Sequence, residues 1–291
     1  MEKQYRINWK KGLNITPEIM TSSDNYHVAE RNLLGAFIAS RLYGILQDSK
    51  FYVEKEINNN YLIINKLSCY AITSEGAIIS IPKEMNFKKE LLLSEINGDE
   101  FYVVLSVNPS NIIPEDENAL HIFPDYYLSV QRTSETIMYG IPILKLTNNG
   151  YWEIDRNYIP PSVSLCSSDI LLQKYFDVKN LIHKIIEMIP NSDTDQLLLK
   201  FLKFELNEFT QKKSPEDWLL LMKKYCWIFY SHLLNENKID ETSNVMRFFE
   251  EKYNPNEIGK SLQLGYDCFD MIYTILNTKP VEEVPEFEIK L

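Results

Sequence analysis

The stretch from residue 152 to residue 165 restricts the fold of this chain more than any other. It contains two consecutive prolines, Pro160 and Pro161, which have a fixed φ and no backbone N–H, so neither a strand ladder nor a helix interior continues through them. Short strands are predicted before this stretch and long amphipathic helices after it. We therefore interpret it as a rigid, extended junction between two domains. Its large apolar side chains predict that it is packed down, and the residues assigned to the junction are Trp152, Tyr158, Ile159, Pro160 and Pro161.

The part of the chain before the junction reads as an antiparallel sheet structure. Between residues 51 and 154, short apolar runs alternate with turn residues such as Asn58-Asn59-Asn60 and Ser74-Glu75-Gly76. The strand–helix alternation of a parallel sheet is missing. Thr16-Pro17 predicts the start of an N-terminal helix, with Thr as the cap and Pro at the first helical position. The predicted fold class is α+β, with an N-terminal antiparallel β-sandwich followed by a C-terminal helical bundle.

The part after the junction has a helical period. Four or five amphipathic helices joined by short loops indicate a bundle. The predicted domains are 1–165 (sandwich and junction), 166–278 (bundle) and 279–291 (acidic, mobile tail). The first helix carries a seam with a spacing of about 3.5 residues, which is typical of helices that pack at shallow angles. We assign this seam to an oligomer interface made of Leu171, Tyr175, Val178, Ile182, Ile185 and Ile189.

Composition and motifs argue against several classes of function. A net charge of −11 without a Lys/Arg cluster argues against a nucleic-acid partner. The four cysteines form no CxxC pair, which favours core thiols in a reducing compartment. No signal peptide and no apolar run of about 20 residues is found, so a cytoplasmic protein is expected. Gly259-Lys260-Ser261 has Asn254 where a phosphate loop needs Gly, and the histidines lack metal-site spacing. We predict no catalytic, metal or cofactor site.

Two stretches of the sequence match the pattern of a known family. The first runs from Ile7 to Glu18 and includes Trp9, Gly12 and Pro17. The second is Trp152 to Asp155, followed by Tyr158-Ile159-Pro160-Pro161. Together they resemble the TssK family, the baseplate subunit of bacterial type VI secretion systems. Both lie where the family has them, on either side of a β-rich domain. The sequence departs from the family pattern at Lys11, where Glu is usual, and after Pro17, where Gln-His is usual.

The resemblance implies a trimeric structural adaptor without catalysis, in the cytoplasm and associated with the baseplate at the inner membrane. The N-terminal domain would be similar to the shoulder domain of phage receptor-binding proteins and would bind wedge proteins TssF and TssG, and the bundle would trimerise. Family members carry a further C-terminal domain that docks onto a membrane complex. This chain stops after the bundle, so we expect a short or divergent member and leave contact with a membrane complex open. The residues assigned to wedge binding are Trp9, Lys11, Gly12, Thr16 and Pro17.

Two other functions stay open from the sequence. One is a phage-tail-like receptor-binding or baseplate protein outside type VI secretion. The other is a β-sandwich hydrolase, because the members of a catalytic triad need not be neighbours in sequence. Whether Trp9 belongs to the core or to an interface is also open.

Overall fold

The computed structural model describes residues 12–39, 42–47, 51–94, 96, 98–114, 122–132, 139–189, 193–235 and 243–278. The chain divides into two compact units. The first unit comprises residues 1–173, 211–218 and 252–260, and the second comprises residues 174–210, 219–251 and 261–291. Three short stretches of the predicted bundle, residues 166–173, 211–218 and 252–260, therefore belong to the first unit. The predicted tail, residues 279–291, lies outside the described residues.

The first unit contains two antiparallel sheets. In the first sheet, the long strand β3 pairs with each of the others, and the strands are β1 (Gly44–Ile45), β2 (Tyr52–Asn58), β3 (Tyr61–Ile72), β4 (Ile78–Ile81) and β5 (Lys89–Leu92). The second sheet has the order β7-β6-β8-β9, with β6 (Glu100–Pro114), β7 (Ile122–Gln131), β8 (Gly140–Asn148) and β9 (Trp152–Ile154). The helix α1 (Pro17–Ala39) precedes both sheets.

The two sheets share one apolar core. Leu62 and Ile64 of β3, and Val103, Leu105 and Ile141 of the second sheet, are all fully buried in it. Side chains in a strand alternate between its faces, so every second residue of these strands enters the core. The predicted antiparallel β-sandwich is confirmed.

Turn chemistry sets the register of the first hairpin. Asn59 and Asn60 have φ values of 48° and 65°, as predicted from the asparagine cluster. After this turn, a single long strand, β3, runs from Tyr61 to Ile72. The chain runs straight through Ser68 because no Gly or Pro interrupts the run.

The helices follow the junction. They are α2 (Asp169–Met188), α3 (Asp193–Glu208), α4 (Pro215–Asn235), α5 (Ser243–Glu250) and α6 (Ile258–Asn277), with a short 3-10 turn at Leu165–Ser167 and another at Pro255–Glu257. The predicted helical C-terminal region is thus confirmed. Among the described residues, no helix is long and apolar enough to cross a membrane.

The seam of α2 does not provide a surface for another molecule. Its six side chains are at most 6% exposed in the single chain. The 3.5-residue spacing therefore reflects packing of α2 within its own chain, where apolar burial stabilises the fold. The assignment of this seam to an oligomer interface is corrected accordingly. The residues concerned are Leu171, Tyr175, Val178, Ile182, Ile185 and Ile189.

Candidate functional site

The proline junction lies beside β1. The Ile45 N–H donates to the Pro161 carbonyl at 2.8 Å, and the Val163 N–H donates to the Ile45 carbonyl at 2.9 Å. These bonds form a parallel bridge between Ile45 and Ser162. A proline keeps its carbonyl acceptor although it has no donor, so Pro161 can still pair on this side. Pro160 and Pro161 are buried, which confirms the prediction that the junction is packed down.

A glycine makes this approach possible. Gly44 has φ +127°, a backbone conformation that residues other than Gly rarely adopt. A Cβ atom at Gly44 would lie 2.5 Å from the Pro161 carbonyl carbon and 2.6 Å from the Ser162 nitrogen. β1 and the junction can therefore lie together only because residue 44 has no side chain.

Ring packing and hydroxyl hydrogen bonds hold Tyr158 of the junction against the second sheet. The Tyr158 ring is 5.7 Å from the Tyr102 ring, and its hydroxyl donates to the Pro142 carbonyl at 3.4 Å. The Tyr102 hydroxyl donates to Glu257 Oε1 at 2.8 Å. Burial raises the pKa of Tyr158 and of Tyr102, so both phenols stay protonated donors. These groups serve as structural hydrogen-bond donors.

A second tyrosine hydroxyl forms a hydrogen bond that links the stretch 252–260 to the rest of the first unit. The Tyr43 hydroxyl donates to Asn256 Oδ1 at 3.0 Å, and Asn256 is fully buried. Ile159, which the sequence assigned to the junction, is buried as well, and a Cβ at Gly259 would lie 3.5 Å from its Cδ1 atom. The junction and the stretch 252–260 therefore pack together.

Trp152 borders a groove at the edge of both sheets. Its ring lies 5.4 Å from the Phe101 ring. The groove has a volume of 1230 Å³ and is lined by β2, β8, β9 and residues 166–170. The edge strand β2 has a bulge between Glu54 and Lys55, and Lys55 lies opposite the buried Ile64. A bulge and a charged lysine on an edge strand are features that prevent another strand from adding to that edge.

The loop before α1 is exposed. Trp9 and Lys11 lie outside the described residues, so their predicted role in wedge binding stays a prediction. Gly12 is exposed with φ +87°. Thr16 Oγ1 accepts a hydrogen bond from the Ile19 N–H at 3.4 Å, and Pro17 is the first residue of α1. The predicted start of the helix is therefore confirmed.

Apolar side chains extend from this loop into solvent. Ile15 is 67% exposed, and Leu13 and Met20 are also exposed. Contiguous exposed apolar groups beside a rigid element are typical of a protein-binding surface. The structure therefore places Gly12 and Thr16 on this loop and Pro17 at the first position of α1.

The second unit has an exposed apolar face that the sequence analysis missed. We call this the α3–α4 strip, and its residues are Leu197, Phe201, Phe204, Leu220 and Trp227, with exposures of 77%, 53%, 63%, 61% and 57%. The Lys224 Nζ lies 5.3 Å from the centre of the Phe201 ring and pairs with Glu205 at 2.7 Å. The ring of Trp227 lies 5.5 Å from that of Phe249, so the strip continues to α5.

The signal for this strip was present in the sequence. On α3, Leu198, Leu202 and Leu206 follow one another at intervals of four residues. Leu202 and Leu206 are buried, but Leu198 is 43% exposed. A second apolar row with spacing i, i+4 and i+7 runs along the same helix. A helix with apolar residues on two faces needs two partners, and one of these faces is exposed in the single chain.

The described part of the chain contains no group of three or more His, Cys, Asp or Glu side chains that could hold a metal ion. The contacts assembled above are packing contacts, backbone hydrogen bonds and exposed apolar faces. They can join segments of the chain and can bind another protein.

The comparisons identify the architecture. No family model matches the sequence, and no curated protein matches it. A solved structure of the type VI secretion TssK–TssF–TssG baseplate subcomplex contains a chain with 14% identity and a TM-score of 0.64, and the match covers 94% of this chain and 100% of that one. The chain has the fold of TssK structures.

Two further solved structures agree with this. A crystal structure of TssK matches with 11% identity and a TM-score of 0.62, covering 93% of this chain and 72% of that one. TssK from the EAEC type VI secretion system, in complex with a nanobody, matches with 13% identity and a TM-score of 0.63, covering 88% of this chain and 69% of that one. At such identities the likeness concerns the fold.

Proposed function

We propose that this chain is a non-catalytic structural adaptor of a type VI secretion baseplate. The observation that carries the proposal is the match to a chain of the TssK–TssF–TssG subcomplex over 94% of this chain. Both the sandwich and the helical region take part in that match. The resemblance of the N-terminal and junction motifs to the TssK family supports the same function.

The proposed wedge-binding surface is the loop from Gly12 to Pro17 together with its exposed apolar neighbours. TssF and TssG, which the solved subcomplex contains beside TssK, are the proposed partners. Ile15 is largely exposed, and recognition usually involves loops held by a rigid scaffold. Trp9 and Lys11 belong to the same proposed surface by sequence.

Co-expression tests this surface. We expect TssF and TssG to co-purify with the wild-type chain, and we expect Ile15→Asp and Lys11→Glu to abolish this while the melting temperature stays near that of the wild type. Ile78→Asp is the matched control, because Ile78 is also an exposed isoleucine but lies on β4. Wedge binding that survives both loop variants would refute the surface. Failure of the wild type to bind would refute the function.

The proposed assembly is a trimer, located with the baseplate in the cytoplasm at the inner membrane. Since the α2 seam is buried, we assign the contact between copies to the α3–α4 strip. Phe201 and Trp227 are large aromatic groups at more than half exposure, and such groups are enriched in protein interfaces.

Light scattering coupled to size exclusion tests the assembly. We expect a trimer mass for the wild type and a monomer mass for Phe201→Glu combined with Trp227→Glu. The control variant is again Ile78→Asp, which should leave the trimer intact. A monomeric wild type at micromolar concentration contradicts the trimer, and a trimeric double variant contradicts the use of the strip.

A further inference from the structure

Helices α4 and α6 pack closely over a stretch that contains one cysteine on each helix. A Cβ atom at Gly265 of α6 would overlap with Met222 Cε of α4 and would lie 2.9 Å from the Phe248 ring. Further along both helices, the rings of Phe229 and Phe269 are 6.3 Å apart. The close approach at Gly265 thus continues toward Phe269.

Cys226 and Cys268 lie between these two levels of contact. Cys226 follows Met222 by one turn of α4, and Cys268 follows Gly265 by about one turn of α6. Both thiols are buried, with exposures of 0% and 1%. The Cys268 thiol donates to the Asn244 carbonyl at 3.6 Å. The interaction between the two thiols raises the pKa of Cys226 and lowers that of Cys268.

The other two cysteines, Cys69 and Cys166, lie in the first unit, apart from this pair. Cys69 is buried in the sandwich, and Cys166 is half-buried near the junction, where it lies 3.5 Å from Ser164 Oγ. Burial raises the pKa of Cys69 to about 12, so its thiolate is scarce at neutral pH. These two cysteines are therefore matched controls for the chemistry of the pair.

We propose that Cys226 and Cys268 form a redox-modification site, in which a peroxide converts the two thiols into a disulfide between α4 and α6. The Cys268 thiolate attacks one peroxide oxygen, the O–O bond breaks and water leaves, which gives a sulfenic acid. The Cys226 sulfur then attacks Cys268 Sγ, the S–S bond forms, the S–O bond breaks and a second water leaves. Two thiols and one hydrogen peroxide thus give one disulfide and two waters.

Burial determines which oxidants are effective. Hydrogen peroxide is small and needs only a local opening of the packed helices to reach the pair. Oxidised glutathione is bulky, and its S–S bond has to lie in line with the attacking protein thiolate. We therefore expect peroxide to oxidise the pair in the folded chain much faster than oxidised glutathione does.

The bond would restrain the second unit. The disulfide would join α4 to α6 and close the chain between residues 226 and 268 into a loop. This closure reduces the conformational entropy of the unfolded chain. The urea midpoint of the oxidised wild type should be higher than that of the reduced wild type. A variant without either cysteine of the pair should show no such difference.

Peptide mapping after peroxide treatment of the folded full chain tests the proposal. We expect a linked pair of peptides that contain Cys226 and Cys268, and a fall in free thiols from the four of the reduced chain to two. Cys69→Ser and Cys166→Ser should keep the link, whereas Cys226→Ser and Cys268→Ser should lose it.

Two results would overturn the proposal. One is a map of folded wild type in which Cys166 is oxidised but the 226–268 link is missing. The other is a link that forms only after unfolding in urea. The map of the wild type decides the question even if a serine variant does not fold.

Discussion

Replacing Gly44 by alanine should destabilise the first unit through backbone strain and through a steric clash with the junction. At φ +127° a residue with a side chain is strained by about 1–3 kcal/mol. The new Cβ would also lie 2.5 Å from the Pro161 carbonyl carbon, so β1 and the junction must move apart. This would break the bonds from the Ile45 and Val163 amides, each worth about 1 kcal/mol. The total loss of unfolding free energy is about 3–5 kcal/mol.

Gly150→Ala separates the two causes. Gly150 also has a positive φ, +98°, but no atom lies within 4 Å of the position of its Cβ. It should therefore show the backbone strain alone, and the difference between Gly44→Ala and Gly150→Ala should be about 2 kcal/mol. Urea denaturation gives both free energies.

Hydrogen exchange locates the effect. In Gly44→Ala the amides of Ile45 and Val163 should exchange faster, whereas the amide of Val103 in the core of the second sheet should change only as much as global stability does. Equal losses of free energy in the two glycine variants, with unchanged exchange at Ile45 and Val163, would refute the close approach of β1 and the junction.

Three further outcomes are expected. Burial raises the pKa of Tyr102 above its unfolded value of 10.0, so the folded chain retains protons that the unfolded chain loses, and the urea midpoint should fall as pH rises beyond about 10, less steeply in Tyr102→Phe. Thr16→Ala should cost α1 about 1 kcal/mol and speed amide exchange in its first turn, whereas Thr21→Ala, which removes no cap, should not. Lys223→Met removes a donor from two backbone carbonyls at the end of α5 and should cost about 1–3 kcal/mol by urea denaturation. Lys224→Met removes the ion pair with Glu205 and the contact with the Phe201 ring, both at the surface, and should cost less than about 1 kcal/mol.

Local chemistry made much of the fold predictable. The positive φ of Asn59 and Asn60 and the start of α1 at Pro17 follow from the intrinsic preferences of Asn, Thr and Pro. The junction could be recognised because two prolines exclude both a helix interior and a central strand. These features depend on residues that are adjacent in sequence.

Features that depend on distant residues were not predictable in the same way. The pairing of β1 with Ser162 requires Gly44 and Pro161 to lie in contact. No local sequence pattern predicts that these two residues, which are far apart in the chain, come together. The seam of α2 was assigned to another copy because an apolar period reports that a face is covered but not what covers it. The contact between Tyr102 and Glu257 likewise joins residues separated by most of the chain.

The division of the chain has a consequence for how it can be cut or exchanged. The backbone passes from one compact unit to the other after residues 173, 210, 218, 251 and 260, so neither unit is a continuous segment. A fragment that ends at the junction would lack Asn256 and Glu257, which accept hydrogen bonds from Tyr43 and Tyr102. We expect such a fragment to be less stable than the same residues in the full chain, and recombination within this chain should transfer the interleaved stretches together.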